Sequence, residues 1–425
     1  MTTDSIKKSL VNSISIKLLV ILVLIVLMQI PLSSVRGLIH ERQSMQYQAQ
    51  TEISKRWGDK GQLGSPVLVI EQEIVKKDER HKKQTSIQSS SAEITIELDA
   101  HKRYLGIYEA AVFNAKIQLT GVIEIADSAK LDDPKHNYYL FIPLQQIKSI
   151  KNMGAVSINN QQLRQLPQQF SVNESRGFAI QLNPQELQKS INYKIEFSLS
   201  ASEQMNIIAL ARKTEVSMRS NWPSPSFIGN HLPDTRVISD KGFEAYWQIN
   251  QLNMTSGADS HFVIDQNDGF GVKIHIPANT YQVNERTVKY SFLIIVLSFA
   301  GFFLTELFFK LRLHPFQYLL IGFSLSTFYL LLLSISEYLS FNWAFLLSAS
   351  AIIALISSYC SVVLKQTQRG LYTGLLFTLL YGFIYILVKA EEASLLMGAI
   401  AILFILSLVM YLTRKIDWYA VGEEK

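Results

Sequence analysis

Glu306 is the single acidic residue inside an otherwise apolar run, Ser291 to Phe309, and its position makes a chemical demand. A carboxylate in hydrocarbon costs about 2.5 to 3.5 kcal/mol even on lenient scales, so it must be paired, hydrated or put to use. Lys310 follows four residues later, in the favoured Glu-then-Lys order. A snorkelling ion pair is the plainer reading. A proton or ion site is the alternative, although relays that move protons commonly use several acids and this run has one. The next turn carries Arg312, His314 and Pro315. Arg312 and Lys310 supply positive charge beside the membrane, and Pro315 opens the following helix at a position where its missing N–H is no loss. These residues are expected to pin two neighbouring spans together.

Other reactive residue types are poorly placed for catalysis. Eight His residues, at 40, 81, 101, 136, 231, 261, 275 and 314, include no H-x-x-x-H pair, and Cys360 is the only cysteine. No local pattern calls for a metal, and no cofactor is expected. There is neither a G-x-S-x-G elbow nor a phosphate-binding P-loop. The densest cluster elsewhere is Ser220 to Gly229, reading SNWPSPSFIG. Pro223 and Pro225 stiffen its backbone, Asn221 can hydrogen-bond a turn, and Trp222 and Phe227 are large aromatic anchors. Such a stretch serves either as a rigid, partly buried structural loop or as a contact surface.

Hydropathy sets the elements that carry these residues. About 20 apolar residues cover the hydrocarbon thickness as a helix. Leu18 to Leu32 with its flanks qualifies, followed by Ser291 to Phe309, Gln317 to Ile335, Trp343 to Leu364, Leu371 to Val388 and Leu395 to Leu412. Six transmembrane helices are therefore expected, one N-terminal and five packed as a C-terminal bundle, with a large exported domain between helices 1 and 2. Lys7, Lys8, Lys17, Lys310, Arg312, Lys365, Arg369, Arg414 and Lys415 flank one set of span ends, while the alternate turns hold only Lys389. Retained positive charge marks the cytoplasmic side, which places both termini there. The first span also has the basic and apolar parts of a signal peptide, though Ser33 and Ser34 match a cleavage site poorly. The domain is exported in either case.

The resulting organisation is 1–36, a cytoplasmic N-terminus and first helix; 37–289, an exported domain; 290–414, the bundle; and 415–425, a cytoplasmic tail. Residues 37–289 hold 28 of the 40 Lys and Arg against 27 of the 35 acids, so the domain is nearly neutral and the formal +5 gives no reason to expect nucleic acid. Residues 37 to 57 continue as a helix, with Leu38, Met45, Ala49, Ile53 and Trp57 near helical spacing. Short β-type runs follow, including Val67 to Glu73, Ile94 to Leu98, Gly106 to Phe113, Ala115 to Ile125, Tyr193 to Leu199 and Phe243 to Gln251. Nine of the 11 prolines lie between Pro66 and Pro277, as suits many turns. A sandwich-like or curved antiparallel domain is expected, with short helices near Gln145 and Gln185. Lys76 to Ser91, with five basic residues against two acids, reads as a solvated loop or as a basic arm for anionic headgroups.

Several stretches together resemble the CreD-type inner membrane proteins of Gram-negative bacteria: Gly64-x-Pro66-x-Leu68-x-Ile70, Arg103 to Tyr108, Ser220 to Gly229, Gly242-Phe243-x-Ala245-x-Trp247, Arg312-Leu313-His314-Pro315-x-Gln317-Tyr318 and Thr413 to Tyr419. They run in order through nearly the whole chain. The resemblance implies an inner-membrane, multi-pass protein that is not an enzyme, associated with cell envelope integrity and the response to envelope stress. It carries across no catalytic residue. The lipid bilayer is the expected partner, with any envelope protein partner unspecified. The competing class is a transporter or enzyme acting on envelope lipid or peptidoglycan precursors.

Overall fold

The computed structural model describes residues 14–76, 79–125, 136–163, 167–172, 175–184, 187, 189–250, 269–274, 276, 280–308, 313–390 and 394–414. The chain divides into two compact units: Met1–Met45 with Ala278–Lys425, and Gln46–Pro277. The second is narrower than the 37–289 segment read from hydropathy, because helical residues on either side of it cluster with the apolar helices.

Helices of the first unit run Ile14–Leu27, Gln29–Trp57 (which passes into the second unit), Thr280–Lys289, Ser291–Phe308, Pro315–Ser336, Phe341–Val363, Thr367–Lys389 and Ser394–Thr413. Six crossings were expected; among the described residues, five stretches are long and apolar enough to cross a membrane, within Ile16–Trp57, Thr280–Leu307, Pro315–Ser336, Phe341–Val363 and Thr367–Lys389. The difference lies at the end of the chain, where Ser394–Thr413 is helical over 20 residues but several of its side chains lie outside the described residues. The first crossing is interrupted at Met28, three residues before Pro31. Proline has no N–H to offer the Leu27 carbonyl, so the helical ladder breaks there.

Water cannot drive these helices together inside a bilayer, so small residues and close backbone approach must. Gly370 and Gly374 form a G-x-x-x-G face on Thr367–Lys389, against Ser357 and Ser361 of the preceding helix. A methyl group on Gly370 would lie 2.7 Å from the Ser357 carbonyl oxygen, closer than packing allows. Gly370→Ala should therefore force the two helices apart and lower stability by about 1 to 3 kcal/mol. Thermal unfolding of the purified protein in detergent checks this; an unchanged midpoint would mean that the helices can part freely. Phe328 centres the rest of the interface, with ring centroids 4.6 Å from Tyr381, 4.9 Å from Tyr329 and 5.3 Å from Phe345. Leu22, Val26, Leu320, Leu346 and Leu375 face outward, as a lipid-facing surface requires.

Among the described residues the second unit is built from three sheets. The largest has eight strands, with the long hairpin Ser91–Leu105 and Tyr108–Glu124 near its middle. Alternation decides its faces: Ala92, Ile94, Ile96, Leu98 and Ala100 are buried while intervening residues face outward. Gly106 to Phe113 and Ala115 to Ile125 were expected as separate strands but form one, because Asn114 keeps register between Asp99 and Ser200 and accepts a 2.9 Å hydrogen bond from the Ser200 hydroxyl. The pairing is mixed rather than purely antiparallel: Lys213–Ser220 lies parallel to Ser91–Leu105, and Gly61–Gly64 parallel to Gln204–Ile208 in the four-stranded sheet. A 3₁₀ turn, Ile147–Ser149, stands near Gln145; the expected helix at Gln185 lies outside the described residues.

The five-stranded sheet corrects the reading of Lys76 to Ser91 as a loop. Glu79–Gln88 is a strand paired with Val67–Lys76 over ten residues. Its polar sequence hides a strand because its partners are polar too: buried Glu71 accepts hydrogen bonds from Lys82 at 2.9 Å and Gln84 at 3.2 Å. That carboxylate holds the Lys82 ammonium above its ordinary pKa. Gln84 also donates to the Ser171 carbonyl at 3.3 Å, so the sheet curls until its two edge strands touch. Val67, Val69, Tyr139, Phe141, Val172 and Ala179 fill the inside of the curl, and Leu68, Tyr138, Leu140, Ile142, Phe178 and Ile180 join the main core on the other side.

Candidate functional site

The intramembrane acid is surrounded by donors from three segments. Glu306 lies in the last turn of Ser291–Phe308 and is 6% exposed. Its Oε1 accepts from the Lys17 ammonium at 2.6 Å and from the Leu313 backbone N–H at 3.1 Å, while Oε2 accepts from the Tyr318 hydroxyl at 3.3 Å. The Tyr318 ring is fixed edge-on against Phe299 and Phe302. A charged group at this depth is tolerable only with such satisfaction, since water is not at hand to replace a missing donor. The partner expected from spacing, Lys310, lies outside the described residues, as does Arg312. Among the described residues Lys17, read in the sequence only as an orientation charge, is the cation that pairs with Glu306.

His314 and Pro315 shape the start of Pro315–Ser336, the helix that Pro315 was expected to open. His314 is the N-cap of Pro315–Ser336: its Nδ1 accepts from the Phe316 N–H at 3.2 Å, and the Gln317 side chain accepts from the His314 N–H at 3.0 Å. This capping box satisfies helix donors that otherwise lack partners, and Pro315 sits at the first helical position where proline is favoured. The cap orients the next turn, and with it Tyr318, toward Glu306.

A second ion pair holds the other end of the first crossing. Arg42 Nε lies 3.4 Å from Glu337 Oε1, at the C-terminal end of Pro315–Ser336. The Glu337 side chain is only 12% exposed. About 37 Å of helix separates Lys17 from Arg42 at 1.5 Å per residue. That matches the hydrocarbon core with part of each headgroup layer. Close to the second pair, Asn284 donates to the Ser336 hydroxyl at 2.6 Å, and Gln43 and Lys289 both reach Glu285, at 3.5 and 3.4 Å. The two ends of the first crossing are thus tied to neighbouring helices by charge, and its middle by packing of buried Met28 against Gly322.

The sequence matches the family model for the inner membrane protein CreD over residues 13–419. The chain belongs to the CreD family. It is similar to the inner membrane protein CreD of Escherichia coli (strain K12), with 29% identity over 420 residues covering 94% of this chain and 93% of that protein. In this CreD-family chain the Arg312 to Tyr318 stretch that carries the resemblance therefore includes a helix cap and a ligand of the buried carboxylate, two structural duties.

The Ser220 to Gly229 stretch is placed as an internal brace. Asn221 Oδ1 accepts from the Ala100 N–H at 2.8 Å, and its Nδ2 donates to the Ala100 carbonyl at 3.1 Å and to Asp99 at 3.3 Å. Trp222 is 8% exposed and belongs to the main core. Pro223 faces outward, and Pro225 opens the strand Pro225–Gly229, paired antiparallel with Phe270–Ile274, where a loop was expected. Phe227 packs edge-on against Phe243 and Trp247, each 5.9 Å away, with the Arg236 guanidinium 5.7 Å from its ring centre. Both aromatic anchors point inward. Beside Asn221 opens a groove of about 820 Å³ lined with charges of both signs, including Glu97, Asp99, Arg219 and Lys241. Glu97 and Arg219 pair at 3.1 Å, so the groove presents no single charge to a ligand. Among the described residues no group of three or more His, Cys, Asp or Glu is arranged to hold a metal ion.

Proposed function

We propose that this chain is a non-enzymatic inner membrane protein that supports cell envelope integrity under stress, with residues 46–277 displayed in the periplasm. One observation carries the reading: the acid buried among the membrane helices has both oxygens engaged by groups that join helices, Lys17, Leu313 and Tyr318. A carboxylate that bound a transported ion or a substrate would instead face a cavity or a path. The envelope role itself follows from the family resemblance, and the periplasmic placement from the charges beside the spans.

Two measurements test it. A reporter active only outside the cytoplasm should work when fused after Lys60 or Gly257 and stay silent after Lys365 or Lys425; activity after Lys425 would reverse the topology. In cells lacking the gene and challenged with an envelope-active agent, the wild-type chain should restore survival, and Glu306→Gln should do so to a similar degree. Glutamine keeps one oxygen for the Leu313 N–H, and its NH2 can donate to the Tyr318 hydroxyl, which also accepts, while the titratable group is removed. Loss of protection in a Glu306→Gln protein that reaches the membrane at wild-type level would overturn the proposal. It would favour a transporter or enzyme acting on envelope lipid or peptidoglycan precursors.

A further inference from the structure

Hydroxyl groups inside the membrane helices are satisfied in most places by the helix that carries them. Thr305, Ser324, Ser326, Thr327, Ser358 and Thr378 turn back onto a carbonyl three or four residues earlier, at 2.8 to 3.0 Å. That solution needs no neighbouring helix. Ser298, Tyr329, Ser348 and Tyr381 do not share it: none is more than 4% exposed, and their hydroxyls have no hydrogen-bond partner among the described residues. Two other hydroxyls without a partner stand apart. Ser357 faces Gly374, about two turns from Tyr381, and Ser291 begins its helix.

The four come from four different helices, and packing brings them to one level of the bundle. Phe302 of Ser291–Phe308 lies with its ring 6.2 Å from that of Phe377 in Thr367–Lys389. Two further crossings separate these helices in the chain, so they run antiparallel, and one turn along each from this contact stand Ser298 and Tyr381 on the same faces. Ser348 is one turn from Phe345, whose ring centre lies 6.4 Å from that of Tyr381 and 5.3 Å from that of Phe328. Tyr329 follows Phe328 in the chain, and its hydroxyl is within electrostatic reach of the Tyr381 hydroxyl on one side and of the Arg36 guanidinium on another.

A hydroxyl buried dry lowers the folded-to-unfolded ratio about 5- to 100-fold. Four together would cancel most of the stability of a typical protein. Each of these groups donates one hydrogen bond and accepts two, and all four are neutral, which suits water on every side. A buried water takes two to four polar partners, the number that this level of the bundle supplies.

We propose that Ser298, Tyr329, Ser348 and Tyr381 hold a small cluster of trapped water inside the bundle. The cluster ties four helices by directional bonds at a level where apolar contacts such as Phe328 with Phe345 set no unique register.

Radiolytic hydroxyl labelling of the full-length protein in lipid nanodiscs tests this, because radicals formed from trapped water attack the rings beside it. Phe328 should be oxidised at least about threefold faster than Phe113 and Phe270, which are as fully buried in the β-rich unit. In Tyr329→Phe/Tyr381→Phe protein that excess should vanish. Each single phenylalanine substitution should also lower the folded-to-unfolded ratio in detergent unfolding by about fivefold or more, and the double variant by less than the product, since both hydroxyls share the same water. Equal labelling of the three phenylalanines overturns the proposal, and if the losses are still coupled, Tyr329 and Tyr381 bond to each other directly. Unchanged or raised stability in both single variants overturns it as well. An excess that survives the double substitution assigns the water to other groups.

Discussion

Lys17→Met should destabilise the membrane unit by about 3 kcal/mol, because it takes from the buried Glu306 carboxylate the cation 2.6 Å away. The figure is at the lower end for a broken buried pair, since the Lys17 side chain is itself 36% exposed and part of its charge is already solvated. Detergent unfolding of the purified protein, or the yield of inserted chain, reads this directly. Adding Glu306→Gln to Lys17→Met should recover most of the loss, because the uncompensated charge rather than the missing lysine is what costs energy. If the double variant is as unstable as the single one, Lys17 acts through packing and the ion pair has no separate role. If Lys17→Met alone has wild-type stability, Glu306 has found other solvation and the staple is absent.

Trp222→Ala should cost the domain about 3 to 5 kcal/mol, the range for removing a large aromatic from a packed core. Its ring belongs to the same buried cluster as Phe243 and Trp247. Asn221→Ala should cost less, about 1 to 3 kcal/mol, since it deletes the side-chain bonds that tie this stretch to Ala100. Thermal unfolding and limited proteolysis of the full-length chain distinguish the outcomes. A Trp222→Ala protein with an unchanged midpoint but no envelope protection would make this stretch a working surface, contrary to its burial.

The apolar runs, the alternation of strands such as Ile94 to Leu98, and the aromatic and proline content of Ser220 to Gly229 were all readable along the chain, because burial against lipid or against a sheet neighbour imposes a period on adjacent residues. The strand Glu79–Gln88 was not. Its partners are the polar groups of Glu71 and Ser171, so it lacks the apolar alternation that marks a strand. The small-residue spacing of Gly370 and Gly374 was present as a pattern, but which helix it meets depends on the bundle.

Family membership rests on motifs in order along the chain and was legible before any coordinates. The partner of Glu306 was not: Lys17 is 289 residues away, and no local spacing distinguishes it from the other membrane-flanking lysines. The sequence by itself determined that the chain crosses a membrane and carries a β-rich domain between its first and second spans, since each follows from transfer of contiguous residues out of water. Only the tertiary structure decided which charges meet and that Trp222 and Phe227 turn inward. These are contacts between residues distant in sequence, and their energies depend on distance and burial rather than on order along the chain.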